Sequence, residues 1–190
     1  MKDEHAVVLD FLVHGKAGGK DEPLAQVIGT ENFSLLEVVA RDDAEVKTGD
    51  RVYIGDGDRD TIKYIKGKIS GDDLTGNATS ELEYVLEELV DENEDQFVEF
   101  FNESVPITTR RHSLELLPSV GKKHMRQIID AREGDPFESY DDIQERVDLL
   151  PDPRTLITKR LRKEIDGDCK RYLFIEPPKK NQDKSRRGRR

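Results

Sequence analysis

Residues Ala6–Val13 (AVVLDFLV) form an almost unbroken apolar run rich in β-branched side chains, closed by the glycine-rich segment His14–Gly19. That composition predicts a strand and a turn. Leu24–Ile28, Phe33–Val39, Arg51–Ile54 and Thr61–Ile69 follow in the same style, separated by Gly29-Thr30-Glu31-Asn32, Thr48-Gly49-Asp50 and Gly55-Asp56-Gly57-Asp58. Four or five short strands punctuated by glycine turns predict a small closed or partly closed β-barrel, with a five-stranded OB-fold as first choice and an SH3-like barrel as second.

From Ser80 the period changes. Leu82, Val85, Leu86, Leu89 and Val90 recur at helical spacing and mark one apolar stripe. Ser80 and Glu83 have the spacing of a capping box at its start. The acidic run Asp91–Asp95 is expected to interrupt the helix before Phe97, Phe100 and Phe101 resume packing. The chain thus divides into a barrel over residues 1–78, an acidic linking helix over 79–107, a helical domain over 108–178 and a tail over 179–190, an α+β organisation.

The chemistry concentrates in the helical part. Residues 114–132 read LELLPSVGKKHMRQIIDAR. A short helix ends before Pro118, Ser119-Val120-Gly121 forms a tight turn, and a second helix starts near Lys122 and buries Met125, Ile128 and Ile129. The turn and first helical residues then carry backbone N–H groups without intrahelical partners, which can grip a phosphate oxygen. Val120 is expected to point inward, and Gly121 to supply backbone freedom. Lys122, Lys123 and Arg126 add positive charge where the helix dipole already favours an anion. Leu117-Pro118-Ser119-Val120-Gly121 with Met125 and Ile128 resembles the helix-hairpin-helix motif, with Ser119 in place of its first glycine. Arg132–Ile143 resembles the linker between tandem units. Leu149-Leu150-Pro151 echoes Leu116-Leu117-Pro118 thirty-three residues on, but continues into Asp152-Pro153-Arg154 without a glycine. Asp152 repels phosphate and Pro153 has no N–H, so this copy reads as a structural partner. Its following helix, Thr155–Ile165, carries Lys159, Arg160, Arg162 and Lys163 as candidate phosphate contacts.

Charge qualifies the picture. Charged residues make up 38% of the chain and hydrophobic ones 34%, with a net charge of −10. The net charge is −6 over residues 1–78, −10 over 79–107, zero over 108–178 and +6 over 179–190. An acidic protein with its bases gathered toward the C-terminus is compatible with a local nucleic-acid footprint. The tail Lys179–Arg190 lacks apolar residues and is expected to be disordered. One cysteine, Cys169, excludes an internal disulfide and fits a cytoplasmic location. No apolar stretch approaches the roughly 20 residues that span a bilayer, and the N-terminus does not read as a signal peptide.

In its order of barrel, acidic helix, paired helix-hairpin-helix units and a Tyr172-Leu173-Phe174-Ile175 run, the chain is similar to an archaeal family of predicted RNA-binding proteins, over residues 5–178. The resemblance implies an OB-fold, a link to translation or ribosome biogenesis, ribosomal or translation components as possible partners, and no assigned activity. The expected partner is nucleic acid, RNA favoured over DNA, with no membrane. On an OB-fold, Arg51, Tyr53, Lys63, Tyr64 and Lys66 are candidates for a stacking platform; core or rim aromatics are the other reading of the tyrosines. No cofactor is expected. The glycines of residues 15–20 do not make a phosphate loop, because His14 and Asp21 stand where Gly and Ser or Thr are required, and His5, His14, His112 and His124 lack metal-ligand spacing. Two alternatives remain: a protein-interaction adaptor using the acidic helix, and a DNA glycosylase or lyase with Asp141 or Asp142 as its acid. Fewer than 60 residues follow the motif, which leaves little protein for a base pocket. Those two aspartates read more simply as the start of a helix over Ile143–Val147.

Overall fold

The computed structural model describes residues 3–177, so the basic tail Lys179–Arg190 lies outside the described residues. Five strands, β1 (His5–Leu12), β2 (Leu24–Gly29), β3 (Leu35–Ala40), β4 (Arg51–Tyr53) and β5 (Ile62–Lys68), form one sheet in the order β4-β1-β2-β3-β5. Every pairing is antiparallel. Register shifts interrupt β1 between Val8 and Asp10 and the β3–β5 ladder at Glu37/Val38 and Val39/Ala40, and such irregularities bend a sheet. β4 and β5 are the two outer strands and do not pair, so the result is a curled half-barrel and not a closed barrel.

Both faces of this sheet are covered. Ala6, Val8, Val27, Val38, Val52 and Ile62 fill the concave side. Val7, Leu9, Ile28 and Leu35 point the other way, into the core shared with the helices. Double coverage explains why β2 and β3 are buried along their whole length and read as apolar runs without alternation. The polar exceptions, Gln26 and Glu37, are cross-strand partners. Gln26 donates to the Asp73 carbonyl at 2.9 Å and accepts from the Thr75 amide at 2.8 Å. Glu37 meets Lys16 at 2.6 Å, which folds the glycine-rich loop back onto the sheet. Burial pushes the Glu37 carboxyl up, but its hydrogen bonds to Lys16 and Gln26 and the charges of Lys16 and Lys66 outweigh this and hold it below its ordinary value.

These contacts fix the start of the first helix, α1 (Gly76–Glu92). Its N-cap is Thr75, whose hydroxyl accepts from the Ala78 amide at 3.0 Å and donates to Asp10 at 2.6 Å. The Ser80–Glu83 capping box is therefore corrected: Ser80 lies inside the helix and bonds back to the Gly76 carbonyl. The apolar stripe is as expected, with Leu82, Val85, Leu86, Leu89 and Val90 all buried. The break comes at Asn93, which donates to the Thr30 and Leu89 carbonyls, and α2 (Glu94–Glu103) follows with Phe97 and Phe101 buried.

A short ribbon of β6 (Pro106–Thr108) and β7 (Arg111–His112) leads into a single 3-10 turn, Ser113–Leu116, and then α3 (Lys122–Gly134), α4 (Tyr140–Arg146) and α5 (Pro153–Ile165). One continuous core joins the convex sheet face, α1, α2 and these three helices, so the expected boundaries at 78/79 and 107/108 run through packed apolar side chains.

Arg160 and Glu164 lie inside that core, at 3% and 2% exposure. Glu164 accepts from the Arg160 guanidinium at 2.6 Å and from the amides of Leu173, Phe174 and Ile175 at 2.7 to 3.0 Å. Arg160 also donates to the carbonyls of Leu116 and Arg171. Arg160 is thus a structural clamp and not a phosphate contact, because its donors are taken and it is out of reach of solvent. Removing one partner strands the other charge in the core, which costs about 3–5 kcal/mol. Glu164→Ala is expected to lower the unfolding free energy by about that amount in urea denaturation, whereas Glu133→Ala on an exposed turn of α3 stays within about 0.5 kcal/mol of the parent.

Candidate nucleic-acid interface

The Leu117–Gly121 turn is built from the inside outward, and a 3-10 turn, Ser113–Leu116, stands before it where a short helix was expected. Leu114, Leu117 and Val120 are anchored in the core, Val120 at 6% exposure, and the Val120 amide donates to the Leu117 carbonyl at 3.3 Å. Between them the chain reverses at Ser119, which adopts φ +63°. Helix α3 then starts at Lys122 with Gly121 at its N-cap, and its first hydrogen bond runs from Met125 to the Gly121 carbonyl at 2.9 Å. Ahead of that bond, the amides of Gly121, Lys122 and Lys123 have no acceptor among the described residues.

The role expected of Gly121 is corrected in one respect. Its φ of −97° and ψ of −176° are extended and open to any residue; the left-handed position is Ser119. A Cβ built on Gly121 meets no atom of the described residues within 4 Å, so the position opens onto unfilled space beside the free amides.

Lys122, Lys123 and Arg126 are exposed and form no ion pair among the described residues, as are Lys159 and Lys163 on α5. Arg162 is drawn to Asp166 at 3.0 Å. At the Leu149–Pro153 turn, Asp152 caps α5 by accepting from the Arg154 amide at 2.8 Å, so a carboxylate of the chain already sits at that helix start. Leu149 in that turn has φ +58° and is 82% exposed.

The barrel candidates are not brought together. Arg51 and Tyr53 lie on β4 and Lys63, Tyr64 and Lys66 on β5, at opposite edges of the sheet. Each is also engaged: Arg51 with Glu92 at 2.5 Å, Lys63 with Asp42 at 3.7 Å, Lys66 with Glu37 at 3.6 Å. The Tyr64 hydroxyl donates to Glu22 at 2.9 Å, and the Tyr53 hydroxyl accepts from the Gly57 amide at 3.1 Å.

The aspartates cast as catalytic acids are likewise occupied. Ser139 caps α4 and Asp141 and Asp142 stand in its first turn, three residues earlier than the expected helix start. Asp142 holds Arg146 at 2.9 Å and the Glu138 amide at 3.1 Å. Asp141 pairs with Arg154, which also reaches Asp91 of α1 and lies over the Tyr140 ring at 4.9 Å. Tyr140 is buried and donates to the Val90 carbonyl at 2.9 Å, and burial pushes its phenol far up. No cluster of three or more His, Cys, Asp or Glu suited to a metal ion occurs among the described residues.

Pattern reading did not single out His112. It is buried, and its Nδ1 accepts from the Leu114 amide at 3.2 Å, pinning the 3-10 turn that carries the hairpin. His112 stands three residues before Glu115, whose carboxylate closes the capping box on the His112 amide at 2.8 Å, and that spacing is the available signal.

The chain is therefore a mixed α+β protein in which a curled five-stranded antiparallel half-barrel is packed against C-terminal helices. It belongs to the DUF655 family, described as "Protein of unknown function", which matches residues 2–176. It is 44% identical over 176 residues to the "Uncharacterized protein MJ0038" of Methanocaldococcus jannaschii, a match covering 92% of this chain and 80% of that relative. The crystal structure of Af1531 from Archaeoglobus fulgidus is similar with a TM-score of 0.82 and 45% identity, over 92% of this chain and 100% of the other. No helix among the described residues is long and apolar enough to cross a membrane.

Two consequences are measurable. A non-glycine residue in the left-handed region is strained by about 1–2 kcal/mol, so Ser119→Gly should raise the unfolding free energy, by about 1 kcal/mol or less once glycine's greater unfolded-state entropy is offset. Burial, then the nearby Arg132 charge, hold the His112 imidazole below its ordinary value of 6.5. The neutral ring is the stabilising form, so its contribution is complete above pH 6.5 and is lost as pH falls through the lowered folded-state value. Urea midpoints should therefore fall between pH 7 and pH 5, and His112→Asn should flatten that part of the profile.

Proposed function

We propose that this protein binds nucleic acid without catalysis, gripping backbone phosphate through a helix-hairpin-helix turn at Leu117–Gly121. The observation that carries the reading is the set of unpartnered amides at Gly121, Lys122 and Lys123 beside three cations without an ion pair among the described residues, in a chain of net charge −10. A phosphate there gains charge-assisted hydrogen bonds, nearby lysines and the positive end of α3 together. The half-barrel reads as an OB-fold-like unit that supports the helices, since its candidate bases Arg51, Lys63 and Lys66 are each paired with a neighbouring acid. The favoured ligand is RNA and the setting translation or ribosome biogenesis in the cytoplasm, both drawn from the family resemblance. The non-catalytic reading draws support from Asp141 and Asp142, whose carboxylates serve the first turn of α4, Arg146 and Arg154.

Gly121→Val is the direct test. A Cβ at this position meets no atom of the described residues within 4 Å, so the fold is expected to be retained while the added bulk hinders a phosphate at the adjacent amides. RNA affinity measured by fluorescence anisotropy is expected to fall at least several-fold with an unchanged thermal unfolding curve. Unchanged affinity in the folded variant would move the site away from the turn.

A further inference from the structure

Eight of the twelve arginines among the described residues commit their guanidinium to a hydrogen bond with this chain. Some of these reach main-chain carbonyls, as Arg41, Arg59 and Arg132 do. The uncommitted ones are Arg110, Arg111, Arg126 and Arg171. Arg126 belongs to the turn already described, and Arg171 follows α5. Arg110 and Arg111 are adjacent, exposed and carried on the β6–β7 ribbon, immediately before the 3-10 turn that leads to the hairpin.

The ribbon is firmly attached. Ser113 closes its base with two bonds to the Val105 carbonyl, at 3.2 and 2.8 Å. Arg132 of α3 locks the preceding chain by donating to the Phe101 and Ser104 carbonyls and the Ser104 hydroxyl, at 2.7 to 2.9 Å. The ribbon base is therefore fixed at the Arg132 end of α3, while the free amides stand at the Lys122 end. Ten residues of helix separate the two by about 15 Å. The exposed side between them carries Asp130, and Glu133 stands just beyond Arg132, so carboxylates separate Arg126 and the turn from the ribbon base.

We propose that the β6–β7 ribbon is a second phosphate-binding arm, in which Arg110 and Arg111 contact the opposite strand of an RNA stem held at the hairpin turn. This rests on the turn reading given above. Two cationic contacts with carboxylates between them suit a ligand whose phosphates come in two rows separated by a groove. The wide, shallow minor groove of an A-form helix supplies that arrangement, and 2′-hydroxyls and base edges lie in it. One extended strand laid along α3 toward the ribbon would instead pass over Asp130. Free arginine suits the task, because its planar fork matches phosphate geometry and it carries charge at every physiological pH.

The test is the salt dependence of binding to a short RNA hairpin stem and, separately, to a single strand of the same composition. Arg110→Gln with Arg111→Gln is compared with the parent and with Gly121→Val, each verified as folded by thermal unfolding. For the stem, the double variant is expected to lose about 5–20-fold in affinity, and the slope of log K against log salt to fall by about 1–2 as one or two phosphate contacts disappear. The single strand is expected to change less than about two-fold. An unchanged slope and affinity on the stem, with Gly121→Val still weakened, overturns the ribbon and leaves the turn reading standing. Equal loss on stem and single strand overturns the two-strand assignment. A parent protein that binds neither ligand overturns both proposals.

Discussion

Glu164 sits at 2% exposure with its carboxylate saturated by the Arg160 guanidinium and three successive amides of the C-terminal run. Arg160 in turn reaches the Leu116 carbonyl, one residue before the hairpin sequence. A single buried charge pair thereby ties α5, the returning chain at Leu173–Ile175 and the approach to the turn. Phe174, held by this clamp, packs edge-on against Phe97 at 5.2 Å and Phe100 at 5.0 Å, which carries the connection into α2. A buried pair is weak evidence for net stability, because desolvation offsets most of the attraction. Its demand for satisfied geometry is what makes it specifying: α5 cannot rotate or slide without stranding a charge and three amides. The turn is thus held by a rigid frame, which a site made of backbone amides requires.

The acidity of the chain is less of an obstacle to polyanion binding than the net charge of −10 suggests. At physiological ionic strength the Debye length is about 8 Å, so charges further away are largely screened. What decides is the local inventory. Lys16 and Lys66 share Glu37, Arg51 takes Glu92, and Arg154 bridges Asp91 and Asp141. Pairs between largely exposed side chains, as at Arg51 and Arg154, add little stability, whereas the Glu37 carboxylate is buried. These contacts do tie up Lys16, Lys66, Arg51 and Arg154 as anion-binding groups. The hairpin and the ribbon before it retain uncommitted bases, and the acidic α1–α2 segment turns its other side into the core.

Much of the fold was legible because burial leaves a period. The strands emerge within about two residues of the pattern, and the stripe from Leu82 to Val90 is buried as read. The misreadings arose where a short local rule competed with tertiary contacts. Ser80 and Glu83 satisfy the capping spacing, but Gln26 and Asp10 of the sheet hold Thr75, and the helix starts there. By charge alone Arg160 belongs to a basic face of α5, but its helical phase places it on the buried side. Leu156, Ile157, Arg160, Leu161, Glu164 and Ile165 share one helical stripe, and all six are buried. Charged residues four apart within an apolar stripe signal an internal pair. The ribbon strands are too short for alternation to show. The half-barrel's open seam also left no mark, since which strands fail to pair depends on bulges and not on hydrophobic order.

The central claim is that phosphate is recognised by main-chain amides at one end of α3. Amide-resolved NMR during titration with a short RNA stem tests it most directly, because it reports the amides themselves. The account predicts that Gly121, Lys122 and Lys123 move first and furthest, with downfield proton shifts as their N–H groups gain acceptors, while β5 remains quiet. Shifts centred on Lys63–Lys66 with Gly121–Lys123 unmoved would contradict it.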